Sequence, residues 1–161
     1  MSALESVDET FLATAPVVVS ETISVPLSAD AVWRELTSDT TLRWLAPGLR
    51  VIWGSPRAGV GAVRRIGPVV GPKAHEKYFL WEEGRRKAFY MVKPPLPLPG
   101  LRAFAEDYVV TPTAQGSEFT WVWAIDGSGL VRHAAPVVRA IVGFGMKRTQ
   151  RHLAKLAAAQ R

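Results

Sequence analysis

The sequence contains no cysteine, which excludes a disulfide framework, a thiolate nucleophile and any sulfur-based zinc site. Such usage suits a reducing cytoplasm, and a cytoplasmic location is expected. No run of about 18 apolar residues occurs, so no segment reads as a membrane-spanning helix. Met1 to Thr14 carries Glu5, Asp8 and Glu9 without a basic start, so it does not read as a secretory signal. Residues 1–16 are expected to form a flexible tail ahead of a single domain at 17–161. His75, His133 and His152 lack ligand spacing, no serine sits in a nucleophile elbow, and no glycine-rich loop joins strand to helix. Neither a metal nor a cofactor is therefore expected. Acid is missing from residues 127–161, which hold seven Lys and Arg, whereas residues 1–126 hold 13 Lys and Arg against 14 Asp and Glu. The net charge of +6 thus belongs to the end of the chain. A solvated basic helix face accounts for it, and nucleic acid is not expected as a partner.

What is present fits one globular domain of 161 residues, with 48% hydrophobic and 21% charged residues. From Pro136 to Gln160 the apolar residues recur at helical spacing. Val138, Ile141, Val142, Gly145, Thr149, Leu153 and Leu156 fall on one face, opposite Lys147, Arg151, Ala154 and Ala158. A long helix with one apolar stripe needs a surface to bury it. The rest of the chain offers a sheet. Val17 to Val25 reads as a first strand, and Ser28 caps a helix through Trp33 and Leu36. Thr40 to Leu45 reads as a second short helix that stops at Pro47-Gly48. Six strands follow, at Leu49–Gly54, Gly61–Ile66, Lys73–Trp81, Arg86–Val92, Phe104–Thr111 and Glu118–Ile125. Glu83-Gly84 and Gln115-Gly116 serve as hairpin turns. Short strands on short loops imply an antiparallel meander. Lys93 to Gly100 carries four prolines and forms a stiff connector, a flap over an opening or a proline-rich ligand.

Four stretches in this order resemble the START-like SRPBCC superfamily, and within it the small polyketide cyclase/dehydrase-type proteins. They are Ile23 to Trp33, Leu42 to Gly48, Gly59 to Arg64 with Glu76 and Trp81 to Arg86, and Thr111 to Trp121. The resemblance implies an α+β helix-grip fold, of order β-α-α-β6-α, in which a curved antiparallel sheet of about seven strands wraps a long C-terminal helix. It also implies an apolar ligand such as a lipid, polyketide or isoprenoid between sheet and helix. Members include carriers and enzymes, so an aromatase-type cyclase or dehydratase is the alternative.

Alternation along the strands supports a ring-lined interior independently of that resemblance. Phe119, Trp121, Trp123 and Ile125 share one face; so do Phe104, Glu106, Tyr108 and Val110, and so do Glu76, Tyr78 and Leu80. The expected ligand walls are Tyr78, Phe104, Tyr108, Phe119, Trp121, Trp123, Val138, Ile141, Val142, Gly145 and Thr149, with Glu106 orienting the ligand. The same rings packed directly on the helix would leave no cavity. Gly143 and Gly145 each cost roughly 1 kcal/mol in a helix, and Gly145 either widens the space beneath it or permits close packing. Glu106, buried among rings, would need Arg64 or Arg65, or would hold a proton and act as the catalytic acid or base. A one-residue slip would instead turn Asp107 inward and leave Glu106 solvated. Glu76 with Arg64 reads as an ion pair between adjacent strands. Arg139, Lys147, Arg148, Arg151 and Lys155 oppose the helix's apolar stripe, allowing at most transient contact with an anionic membrane.

Overall fold

The computed structural model describes residues 3–160. After a short helix α1 (Phe11–Thr14), strand β1 (Val17–Val25) enters the core through Val17, Val19 and Val25. Helix α2 (Ala29–Thr37) starts where expected: Ser28 Oγ accepts the Ala31 N–H at 3.3 Å, Asp30 lies in the first turn, and Ala31, Val32, Trp33 and Leu36 are buried.

The second short helix does not form. Thr41, Arg43 and Leu45 each bond the carbonyl three residues back, and Leu42 sits in the left-handed region at φ +64°. Residues 39–48 are therefore a chain of turns. A helix cannot propagate through a left-handed residue.

Strands β2 (Leu49–Trp53), β3 (Val63–Pro68), β4 (Ala74–Glu82), β5 (Arg86–Lys93), β6 (Leu101–Thr113) and β7 (Gly116–Gly127) complete a curled, wholly antiparallel sheet. Its order is β1-β7-β6-β5-β4-β3-β2, so β1 closes against the last strand over its whole length, from Val17 opposite Ile125 to Val25 opposite Ser117. Irregular register between Tyr78 and Leu80 bends β4 against β5. That extra residue overturns one alternation reading: Leu80 leaves the face of Glu76 and Tyr78 for the outer side, and Trp81 turns inward in its place.

Helix α3 (Ala135–Ala159), with Pro136 in its first turn, lies across the inner face, chiefly over β1 and also over β7. It buries Val138, Val142, Gly145, Met146, Thr149, Leu153 and Ala157. Ile141, assigned to the inner stripe, is instead 49% exposed, and Met146 takes the inner position. The buried stripe is rotated by part of a turn from the one the sequence pattern implied, with Met146 and Ala157 on its new edge. Among the described residues no helix is long and apolar enough to cross a membrane.

The N-terminal segment also differs from expectation. The Leu4 N–H bonds Val92 O and the Glu5 N–H bonds Arg102 O, both at 2.9 Å, and Leu12 packs on Ala88, Ala105 and Ala124. Three alanines on neighbouring strands leave a shallow trough on the outer face. Leu12, Val7 and Phe11 fill it.

Candidate functional site

Alternation along the strands decides what points inward. Phe104, Glu106 and Tyr108 on β6 face Trp121 and Trp123 on β7, with Tyr108 opposite Trp121 and Glu106 opposite Trp123. This register settles the ambiguity over Glu106: its side chain is buried on the inner face. Asp107 points outward yet is not solvated, because the N-terminal segment covers that side.

Arg64 on β3 is 1% exposed and bonds Glu76, its direct partner on β4. Its guanidinium sits over Phe89 at 4.5 Å. The sequence offered Arg64 to both Glu76 and Glu106. The register gives it to Glu76, and Glu106 accepts the Trp121 indole N–H, at 2.7 Å, with the Tyr108 hydroxyl beside it. Burial, reinforced by the Glu76 charge, pushes the Glu106 carboxyl up to about 8. Burial also raises Glu76, with Arg64 opposing it. Lys87 on β5 is fully buried, and its Nζ donates to Leu36 O. The Lys87 amine lies well below the usual lysine range, through burial and then the Arg64 charge. Burial raises both Tyr78 and Tyr108.

Beside these groups lies a cavity of about 430 Å³, within the range of small-molecule sites. Its deep end is formed by the buried side chains of Arg64, Glu76, Glu106 and Tyr108. Phe104, Trp121 and Trp123 make an aromatic wall, and Ile66, Ala74 and Met91 the wall across from it. At the other end, Leu42, Leu45 and Leu49 meet Pro95 and Leu98 of the proline-rich connector, where Pro68 and Leu98 are exposed. The connector thus borders the opening.

Five of the expected wall residues line this space: Phe104, Glu106, Tyr108, Trp121 and Trp123. Tyr78, Phe119, Val138, Val142 and Thr149 are buried in the core beside it without lining it, and Ile141 faces away. No residue of α3 lines the cavity. The hollow expected between sheet and helix is displaced toward β3–β6 and the 42–49 loop, because the helix packs directly on the Trp121 ring. A Cβ on Gly145 would meet Trp121 Cζ3 at 2.9 Å, so this glycine serves close approach, whereas Gly143 faces open space. Thr149 is occupied in the same packing: it accepts the Trp44 indole N–H at 2.9 Å and donates to Gly145 O.

Sequence reasoning missed Arg64 as a lining residue, Met91, and the leucines of the 42–49 loop. Arg64 and Met91 were within reach of strand alternation. The loop leucines were hidden by the helix assigned to that stretch.

Among the described residues, buried polar atoms without a protein partner include Arg64 Nη1, Tyr108 Oη and Trp123 Nε1. All three residues line the cavity. With Glu106 protonated, the deep end presents hydrogen-bond donors set in apolar walls, a surface for an oxygen acceptor on an apolar body.

The chain matches, over residues 16–158, the family described as polyketide cyclase / dehydrase and lipid transport. It belongs to that family. An uncharacterized protein of Mycobacterium tuberculosis is 30% identical over 167 residues, covering 99% of each chain. Among solved structures, norcoclaurine synthase from Thalictrum flavum superposes with a TM-score of 0.64 at 19% identity, covering 89% of this chain and 94% of that one. The di-domain ARO/CYC from the steffimycin biosynthetic pathway gives 0.67 at 12% identity, covering 89% of this chain and 52% of that one. These likenesses establish the START-like helix-grip fold. Family and fold together make this a hydrophobic ligand-binding or polyketide cyclase-type protein.

Proposed function

We propose that residues 17–161 act as one ligand-binding domain in a reducing cytoplasm, holding a neutral, carbonyl-bearing hydrophobic molecule such as a polyketide, isoprenoid or lipid ketone. The observation that carries this reading is the set of donors at the deep end, Arg64 Nη1 and Tyr108 Oη with Trp123 Nε1 on the wall, none of them paired within the protein. Apolar burial supplies most of the affinity, and a ligand oxygen satisfies the donors. Charge balance selects against an acid. Arg64 is already neutralised by Glu76, and a protonated Glu106 adds no charge. A buried ligand carboxylate would bring an uncompensated negative charge.

Intrinsic tryptophan fluorescence, with Trp121 and Trp123 in the wall, tests this. A long-chain methyl ketone is expected to quench and saturate at pH 7, and a carboxylic acid of equal length to bind about tenfold or more weakly. Equal binding of the two, or no saturable quenching by either, would defeat the reading. Native mass spectrometry of freshly purified protein, with a neutral apolar compound co-purifying, would support it.

The second reading, a cyclase or dehydratase, is favoured by Glu106 alone. A carboxyl titrating near 8 at the end of an apolar cavity can protonate a carbonyl or accept a proton from the carbon beside it near neutral pH. Glu106→Gln is then expected to abolish turnover of a bound polyketone while leaving its affinity within a few-fold. Turnover that survives the substitution would remove Glu106 from the mechanism.

A further inference from the structure

The two ends of the curled sheet differ sharply in chemistry. Because every strand pair is antiparallel, the start of β2, the β3–β4 loop, the β5–β6 connector and the exit from β7 all lie at one end. This is also the cavity's open end, where Pro68, Pro95 and Leu98 stand. Large apolar side chains are exposed here on separate segments: Val70 (87%), Leu96, Leu130 (89%), and Val137, Ile141 and Phe144 along the first half of α3. Val70, Leu96 and Leu130 are tips of three separate loops, whereas Val137, Ile141 and Phe144 share a shallow apolar depression on α3 with Pro136 and Ala140.

The same end is cationic. Segments 42–50, 66–75, 92–103 and 126–148 together carry nine Lys and Arg and one acid, Asp126, which Arg102 pairs at 2.8 Å. Glu5, held beside Arg102 by its N–H, is the other carboxylate nearby. The turns at the opposite end carry Asp30, Asp39, Glu82, Glu83 and Glu118 alongside Arg57, Arg85 and Arg86, with Arg57 paired to Asp39 and Arg85 to Glu82, so no cationic excess stands there.

We propose that this end docks on an anionic lipid bilayer. The aliphatic tips enter the interface, and Arg132, Arg139 and their neighbours face the headgroups, which brings the cavity's opening to the membrane surface. Charge complementarity selects the anionic leaflet, and the protruding aliphatic tips favour a bilayer over a folded acidic partner. This differs from docking through the solvent face of α3, since Arg151 and Lys155 lie on its far half. It also stands whatever the cavity holds.

Co-sedimentation with vesicles of phosphatidylcholine alone, or with about a third phosphatidylglycerol, tests the proposal at low and high salt. Binding is expected to the anionic vesicles and to weaken with salt. Val70→Asp with Leu130→Asp, and separately Arg132→Glu with Arg139→Glu, should each reduce partitioning about tenfold or more. Arg151→Glu with Lys155→Glu, and Val60→Asp, exposed on the β2–β3 loop at the far end, should leave it within a few-fold. All these positions are solvent-exposed, and unchanged thermal melting confirms that the variants fold. Equal binding to both vesicle types, loss only with the Arg151/Lys155 variant, or no vesicle binding by a protein that self-associates or captures an acidic protein through Val70 and Leu130, would overturn it.

Discussion

Glu106 and Asp107 are consecutive on β6, both are buried, and they point to opposite faces of the sheet. On the outer face, Arg86 donates to both Asp107 oxygens, at 2.8 to 3.1 Å, and reaches Glu9 of the N-terminal segment at 2.8 Å. On the inner face, Glu106 has an indole N–H and no ion-pair partner. Burial raises both carboxyls, yet only Glu106 borders a cavity with unpaired donors beside it. Low accessibility by itself does not make a carboxyl chemically available. Here the distinction comes from which face carries a dedicated cation and which faces an open space.

The largest test of this contrast removes the inner cation. Arg64→Met strands Glu76 in the core and is expected to cost about 3–5 kcal/mol in urea denaturation. The double variant with Glu76→Leu should recover most of that loss. If Arg64→Met costs less than about 1 kcal/mol, the inner ion pair is not structural.

The next test compares the two carboxyls directly. Asp107→Asn, which weakens the link between sheet and N-terminal segment, should cost about 1–3 kcal/mol. Glu106→Gln keeps its hydrogen bond from Trp121 and should change stability by less than about 0.5 kcal/mol at pH 5. The two should diverge with pH. The Glu106 carboxyl is raised from the ordinary 4.5 to about 8, so the folded state holds this proton more tightly than the unfolded chain does. Its contribution to stability is present in full below about 4.5 and is lost as pH rises through about 8. Wild-type stability therefore declines across that window, and the Gln variant should show a flatter profile. A wild-type profile no steeper than that of the variant would remove Glu106 as a protonated group.

The smallest effect repeats the inner and outer contrast on α3. Gly143→Ala, on the open side, should gain about 1 kcal/mol from helix propensity. Gly145→Ala should lose that gain or destabilise by about 1 kcal/mol as Trp121 is displaced. Equal thermal shifts for the two would mean that α3 does not press on the Trp121 ring.

Much of this architecture was legible in the chain. Ser28 before Ala31, Val32 and Leu36 marked α2, and Gly84 and Gly116 marked the hairpins, because capping and turn chemistry act over a few residues. Alternation in Phe104–Val110 and Phe119–Ile125 marked the aromatic inner rows. The misreadings came where a backbone irregularity or a long-range contact broke the local pattern. Leu42 in a left-handed conformation broke the second helix, an extra residue in β4 exchanged Leu80 for Trp81, and three alanines made a seat for the N-terminal segment.

Local periodicity and turn residues were sufficient to determine an α+β chain of antiparallel strands with one long terminal helix and with rings and Glu106 among its inward candidates, while the curl of the sheet round that helix was implied only by the family resemblance. Only the tertiary structure decided that Arg64 serves Glu76 and not Glu106, that α3 closes on Trp121 and leaves its hollow beside the 42–49 loop, and that Ile141 turns to solvent. Periodicity says which side chains share a face. Pairing between residues far apart in sequence decides what that face meets.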